Sequence, residues 1–198
     1  MTNKNRRFVK VPPLYVRRCM DYGQKIVDHY ANGGSPNSRS RSGDRGTESN
    51  VKLQAQGKIG ECGLAICLGL DPETAVKWGT DFADGGTDIY VPTNGARLDV
   101  KTTLPPFKLI WSNNVNDLYH QKKFDILVAA SVDENDYSCC YLEGWITKGG
   151  FFFRKEISDG VNSRLERGTW FVDKSVLSNI DDLLYLPILT GARIREDA

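Results

Sequence analysis

Two aspartates and a lysine, Asp88, Asp99 and Lys101, stand close together in the stretch Thr87-Asp-Ile-Tyr-Val-Pro-Thr-Asn-Gly-Ala-Arg-Leu-Asp-Val-Lys101. Carboxylates held near one another repel, and the arrangement costs stability unless a cation lies between them. A divalent metal with a preference for hard oxygen ligands is the obvious cation, and a lysine beside it suits an anionic substrate group such as a phosphate. Asn94-Gly95 is the dipeptide best suited to a two-residue type I′ turn, because both central positions need φ > 0. The turn then predicts a hairpin in which Val91 faces Leu98, Tyr90 faces Asp99, Ile89 faces Val100 and Asp88 faces Lys101. Alternation puts Asp88, Tyr90, Asp99 and Lys101 on one face of this hairpin and Ile89, Val91, Leu98 and Val100 on the core face.

The elements around the hairpin must hold it rigid. Val51–Leu68 predicts a helix, with Leu53, Ile59, Leu64, Ala65, Ile66 and Leu68 apolar and Gly69 available as a C-terminal cap. Its centre, Gly57-Lys-Ile-Gly-Glu61, together with Gly63, points to close packing there and places Glu61 on a crowded helix. Phe124–Val132 is a near-continuous apolar run, the mark of a central strand buried on both faces. Further strands are predicted at Phe107–Trp111, about Ser138–Leu142 and Trp170–Val172, with a turn and short helix or strand over 145–151 and a closing helical segment over 176–186. The order helix, hairpin, strand, strand, helix predicts a mixed α/β sandwich.

With 198 residues, 40% of them hydrophobic, the chain can bury one proper core. No run of 18 apolar residues occurs, and Met1-Thr-Asn-Lys-Asn-Arg-Arg7 is no secretory leader, so a cytoplasmic protein without a membrane partner is expected. Five cysteines without a CxxC pair, and only two histidines, favour reduced buried thiols over a zinc site and argue against a His-metal nuclease of the HNH kind.

The net charge of +1 hides an asymmetry: residues 1–50 carry ten Lys/Arg against four Asp/Glu, and residues 51–198 carry sixteen against twenty-one. The reading is a basic region over 1–50, comprising an extended start, a helix over Leu14–Tyr30 and a flexible Gly/Ser/Arg loop, joined to a single acidic domain over 51–198. Arg39, Arg41 and Arg45 of that loop are the candidate phosphate contacts. An idle loop fits the same composition equally well.

Glu61 on a helix, Asp88 on a strand and Asp99-Val-Lys101 on the next strand resemble the PD-(D/E)XK nuclease superfamily, the restriction-endonuclease-like fold, over roughly residues 57–132. Finer likeness to phage and bacterial members lies in Gly60-Glu61, Asp84-Gly-Gly-Thr-Asp88, Asp99-Val-Lys-Thr-Thr103, Phe124-Asp-Ile-Leu-Val128 and Gly144-Trp-Ile-Thr-Lys148. The resemblance implies a restriction-endonuclease-like core with a mixed central sheet flanked by helices. It implies a Mg²⁺-dependent DNA nuclease, an endonuclease by expectation, acting in a bacterial or phage-infected cell. By the same resemblance Asp88 and Asp99 bind Mg²⁺, or Mn²⁺ in its place. Glu61 completes or shapes the metal site, Lys101 stands near the attacking water and the scissile phosphate, and products carry 5′-phosphate and 3′-hydroxyl ends.

Lys58, Thr103 and Lys122 join the loop arginines as candidate DNA contacts, Thr103 because it shares the parity of Asp99 and Lys101. Each residue also has an ordinary reading. Asp88 with Lys101 is equally a cross-strand ion pair contributing about 0.2–1 kcal/mol, Glu61 a solvent-facing helix residue, and Asp84 a turn residue. The rivals are a Holliday-junction or branched-DNA resolvase, which works as a homodimer, and a non-catalytic DNA- or protein-binding phage protein on the same fold. The apolar segment from Trp170 serves a core or a dimer equally well.

Overall fold

The computed structural model describes residues 6–32, 47–79, 87–92, 95–103, 109–112, 123–159 and 168–186. Arg39, Arg41, Arg45, Asp84, Asn94 and Lys122 lie outside the described residues. The architecture is mixed α/β, a curled five-stranded sheet flanked by helices. Strand β1 (Arg7–Lys10) precedes helix α1 (Pro13–Ala31), then α2 (Thr47–Cys67) and the short α3 (Pro72–Ala75). The hairpin strands are β2 (Ile89–Val91) and β3 (Ala96–Thr103), followed by β4 (Leu109–Ser112), β5 (Ile126–Val132) and β6 (Cys139–Thr147). Helix α4 (Lys148–Arg154), β7 (Glu156–Ile157), β8 (Trp170–Asp173), a 3-10 turn (Lys174–Val176) and α5 (Ile180–Leu183) complete the described elements. Among these residues no helix is long and apolar enough to cross a membrane.

The main sheet runs β1-β6-β5-β3-β2, and β4-β8-β7 form a second, smaller one. Only β3 and β5 are parallel within the main sheet, with Asp99 beside Leu127 and Lys101 beside Ala129. One face of the sheet packs on α1 and α2 through Val9, Leu98, Val100, Ile126, Val128 and Leu142. The other packs Leu127 and Ala129 against Phe151, Val172 and Leu177 from the C-terminal elements. All seven residues of β5 are buried, the central position that its apolar run predicts.

Residues 6–32, read from charge as part of a basic arm, are built into this core. β1 is an edge strand of the main sheet, paired with β6 from Arg7↔Leu142 to Lys10↔Cys139. Cys19 and Ile26 of α1 are buried, and Cys19 Sγ lies 3.8 Å from Cys62 Sγ on α2. The five cysteines are free thiols. Helix α2 begins at Thr47, inside the stretch expected to be loop, and is buried almost all round between α1 and the sheet. Two of its glycines explain the closeness: a Cβ on Gly60 would stand 2.0 Å from Thr102 Oγ1, and one on Gly63 2.5 Å from Cys140 Sγ. Gly57 has nothing within 4 Å of such a Cβ, so its place in the pattern has no packing cause.

The hairpin register differs from expectation by two residues. Ile89 faces Leu98, Tyr90 faces Arg97 and Val91 faces Ala96, where a two-residue turn would set Val91 opposite Leu98. Pro92 has no N–H to give a ladder and a φ suited to the start of a turn. Gly95, at φ 79°, donates its N–H to Val91 O at 2.9 Å. Because the shift is even, the paired side chains keep their faces, and Asp88, just before the ladder, has its carboxyl hydrogen-bonded to that of Asp99.

β6 also departs from expectation, running to Thr147 instead of ending near Leu142. A bulge lies within it, for Ala129 pairs with Gly144 while Ala130 pairs with Leu142, leaving Glu143 as the extra residue. A Cβ on Gly144 would meet Ser178 O at 2.8 Å, so glycine lets the following chain cross there. The closing segment forms a 3-10 turn and one short helix in place of a continuous helix, interrupted where Ser178 pairs with Trp145.

Candidate metal and phosphate site

β2 begins only at Ile89, and Asp88 stands just before it. Its backbone N–H donates to Leu98 O at 2.9 Å, and its carboxylate Oδ2 accepts from the Val100 N–H at 2.7 Å. The side chain is thereby fixed at the strand edge, pointing along β3 at Asp99. Both acids are buried, Asp99 at 2% exposure. Burial first, then the charge of Asp99 and a hydrogen bond between the two carboxyls, push the Asp88 pKa well above the usual carboxylate range, against the pull of Lys101 and the Val100 N–H.

Lys101 donates from Nζ to Asp99 Oδ1 at 2.7 Å, and its side chain stays one-third exposed. Glu61 reaches the same group of charges from α2. It is 7% exposed, contrary to the solvent-facing default for a helical glutamate, and its pKa is pushed up to about 8 by burial, then by the charge of Asp88. Lys58 Nζ donates to Glu61 Oε2 at 2.7 Å and lies 5.0 Å from the Tyr22 ring centroid. Lys58, with 11% of its side chain exposed, is paired with Glu61 as its counter-ion.

The expected quartet Glu61, Asp88, Asp99 and Lys101 is thus electrostatically one unit. Thr103 lies on the Asp99 face at the far end of β3, beside Ser131. Tyr90 also keeps the expected face and is 54% exposed. Among the described residues, no group of three His, Cys, Asp or Glu side chains is arranged as a ready-made metal cage. The donor set is instead the pair Asp88 and Asp99, which fits Mg²⁺, an ion commonly held by one or two carboxylates together with waters and substrate oxygens.

A second cluster lies on this sheet face, and no motif points to it. Glu143, the bulged residue, is 2% exposed and accepts from Ser131 Oγ at 2.7 Å through Oε1 and from Lys174 Nζ through Oε2. A register shift in β6 was the one signal that would have revealed it, and strand alternation cannot register a bulge in advance. Nearer the hairpin, Arg97 grips Asp125 with two side-chain bonds, Nε to Oδ2 at 3.1 Å and Nη2 to Oδ1 at 2.8 Å, tying β3 to the start of β5.

No family model matches this chain, and no curated protein or solved structure shows significant similarity to it.

Proposed function

We propose that this chain is a Mg²⁺-dependent deoxyribonuclease of the PD-(D/E)XK type, with a restriction-endonuclease-like core, that hydrolyses phosphodiester bonds internally in DNA. The observation that carries the reading is the pair of buried, interacting carboxyls of Asp88 and Asp99, with Lys101 tethered to the second of them. Such a pair is costly in the absence of a cation: two like charges about 4 Å apart repel by roughly 4 kcal/mol at an effective dielectric of 20. Folding that tolerates the cost, with the pair fixed by a backbone N–H at the end of a rigid strand, supports a site organised for a ligand.

Bound Mg²⁺ would acidify a water and offset charge on the phosphoryl oxygens. Asp88 and Asp99 would hold it, and Asp99 also aims Lys101. The ammonium of Lys101 neutralises a non-bridging phosphate oxygen as charge gathers there. Glu61, with Lys58 as its counter-ion, adds a third carboxylate that takes up or returns a proton near the attacking water. The water oxygen bonds to phosphorus as the bond to the 3′ oxygen breaks, leaving the 5′-phosphate and 3′-hydroxyl ends that the resemblance implies.

Plasmid cleavage in Mg²⁺, Mn²⁺, Ca²⁺ or EDTA tests this. Wild type is expected to nick or linearise DNA in Mg²⁺ and Mn²⁺ but not in EDTA, and Asp99→Ala with Lys101→Ala to abolish the reaction. Undiminished cleavage by the folded double variant would remove these residues from the chemistry.

A further inference from the structure

On the same sheet face as the acidic pair, α4 presents aromatic side chains that the core does not absorb. Leu127, the strand neighbour of Asp99, belongs to the same buried cluster as Phe151, so α4 covers the face of the sheet on which Asp99 lies. Phe151 is fully buried, whereas Phe153 is 88% exposed and Phe152 39%. Phe152 stands edge-on to Trp170 with ring centroids 5.8 Å apart, and Lys155 Nζ lies 3.7 Å from the Phe152 centroid and 4.8 Å from that of Trp170. Arg154 is exposed beside them, and over residues 148–157 three cations, Lys148, Arg154 and Lys155, stand against one acid, Glu156.

We propose that this surface is a stacking platform for unpaired nucleotides, so that the substrate is DNA that carries a single-stranded segment. The inference rests on the nuclease reading and narrows its substrate class. Every base has a π-face that an aromatic ring can cover, and a basic setting attracts the backbone between the bases. A duplex hides those faces inside its own stack, so Phe153 has nothing to gain from blunt double-stranded DNA. Interleaved cations suit a polyanion and oppose a close-packed apolar partner, for which charged residues at the centre of the patch are a penalty.

The test is fluorescence anisotropy with a labelled oligothymidylate and with a blunt duplex, in Ca²⁺ so that bound DNA stays intact. Phe153→Ala, at a site exposed enough to leave folding unchanged by circular dichroism, is expected to weaken single-strand binding by about tenfold or more and to leave duplex binding within about twofold. Unchanged single-strand affinity overturns the proposal, as does an equal loss on both DNAs. Conversion of a dimer to a monomer by Phe153→Ala in sedimentation velocity also overturns it, because the patch then belongs to a second copy of the chain. The two readings separate cleanly. If wild type cuts no DNA but Phe153→Ala shows the selective loss, the platform stands without the nuclease. If wild type cuts and Phe153→Ala binds single strands normally, the nuclease stands without the platform.

Discussion

Two buried acid–lysine clusters lie on one face of the main sheet with β5 between them. In the first, Asp99 accepts from Lys101, with side chains 3% and 33% exposed; in the second, Glu143 accepts from Lys174, with side chains 2% and 24% exposed. Burial and the primary ion pair are nearly the same. The remaining neighbour is not: Glu143 meets the hydroxyl of Ser131, a donor, while Asp99 meets Asp88, another acid. The second cluster satisfies both of its carboxylate oxygens from within the chain and is a closed structural unit. The first sets two carboxyls against each other, a repulsion that a proton or a cation would relieve. That contrast, more than the presence of any one residue, distinguishes a site from a strut.

The largest expected effects come from breaking the open cluster. Asp99→Ala should lower DNA cleavage by about a thousandfold or more in a gel assay, while Glu143→Gln leaves cleavage per folded molecule within a few-fold. On stability the order reverses. Glu143→Ala strands the Lys174 ammonium, partly relieved by solvent, and should cost about 2–4 kcal/mol in urea unfolding. Asp88→Asn keeps an oxygen for the Val100 N–H and removes the repulsion with Asp99. It should raise metal-free stability by about 1 kcal/mol while removing activity. A loss of stability there would show that the two clusters are alike after all.

A smaller effect sharpens the same contrast through pH. Glu61 holds its proton up to about pH 8 in the folded chain against an ordinary value of 4.5, and the Asp88 shift has the same sign. The folded state therefore binds these protons more tightly than the unfolded one. This contribution is complete below about pH 4.5 and lost as pH rises towards about 8. Without metal, the thermal midpoint should fall across that window. Mg²⁺, which competes with those protons, should raise the midpoint more at pH 8 than at pH 5. A Mg²⁺ shift that is equal at both values would argue against binding at this group of acids.

The face of the hairpin was legible because alternation has a period of two and a two-residue register error leaves it intact; an error of one would have sent Asp88 and Asp99 into the core. The register itself was not legible, because Asn94-Gly95 signals a tight turn while Pro92 favours a longer one. Gly60 and Gly63 rightly signalled close packing on α2, and that packing is why Glu61 is buried. β1 escaped notice since four residues rich in cations gain their strand character only by pairing with β6, some 130 positions away. Glu143 was hidden for a related reason: its role depends on a bulge and on Lys174, both settled by tertiary contacts.

Whether the open cluster takes a divalent cation is the question on which the account turns, and Mn²⁺ binding followed by electron paramagnetic resonance answers it most directly. The account predicts saturable binding by wild type, retained in Glu143→Gln and lost in Asp99→Asn. Absence of saturable binding to wild type, or binding that survives Asp99→Asn unchanged, would contradict it.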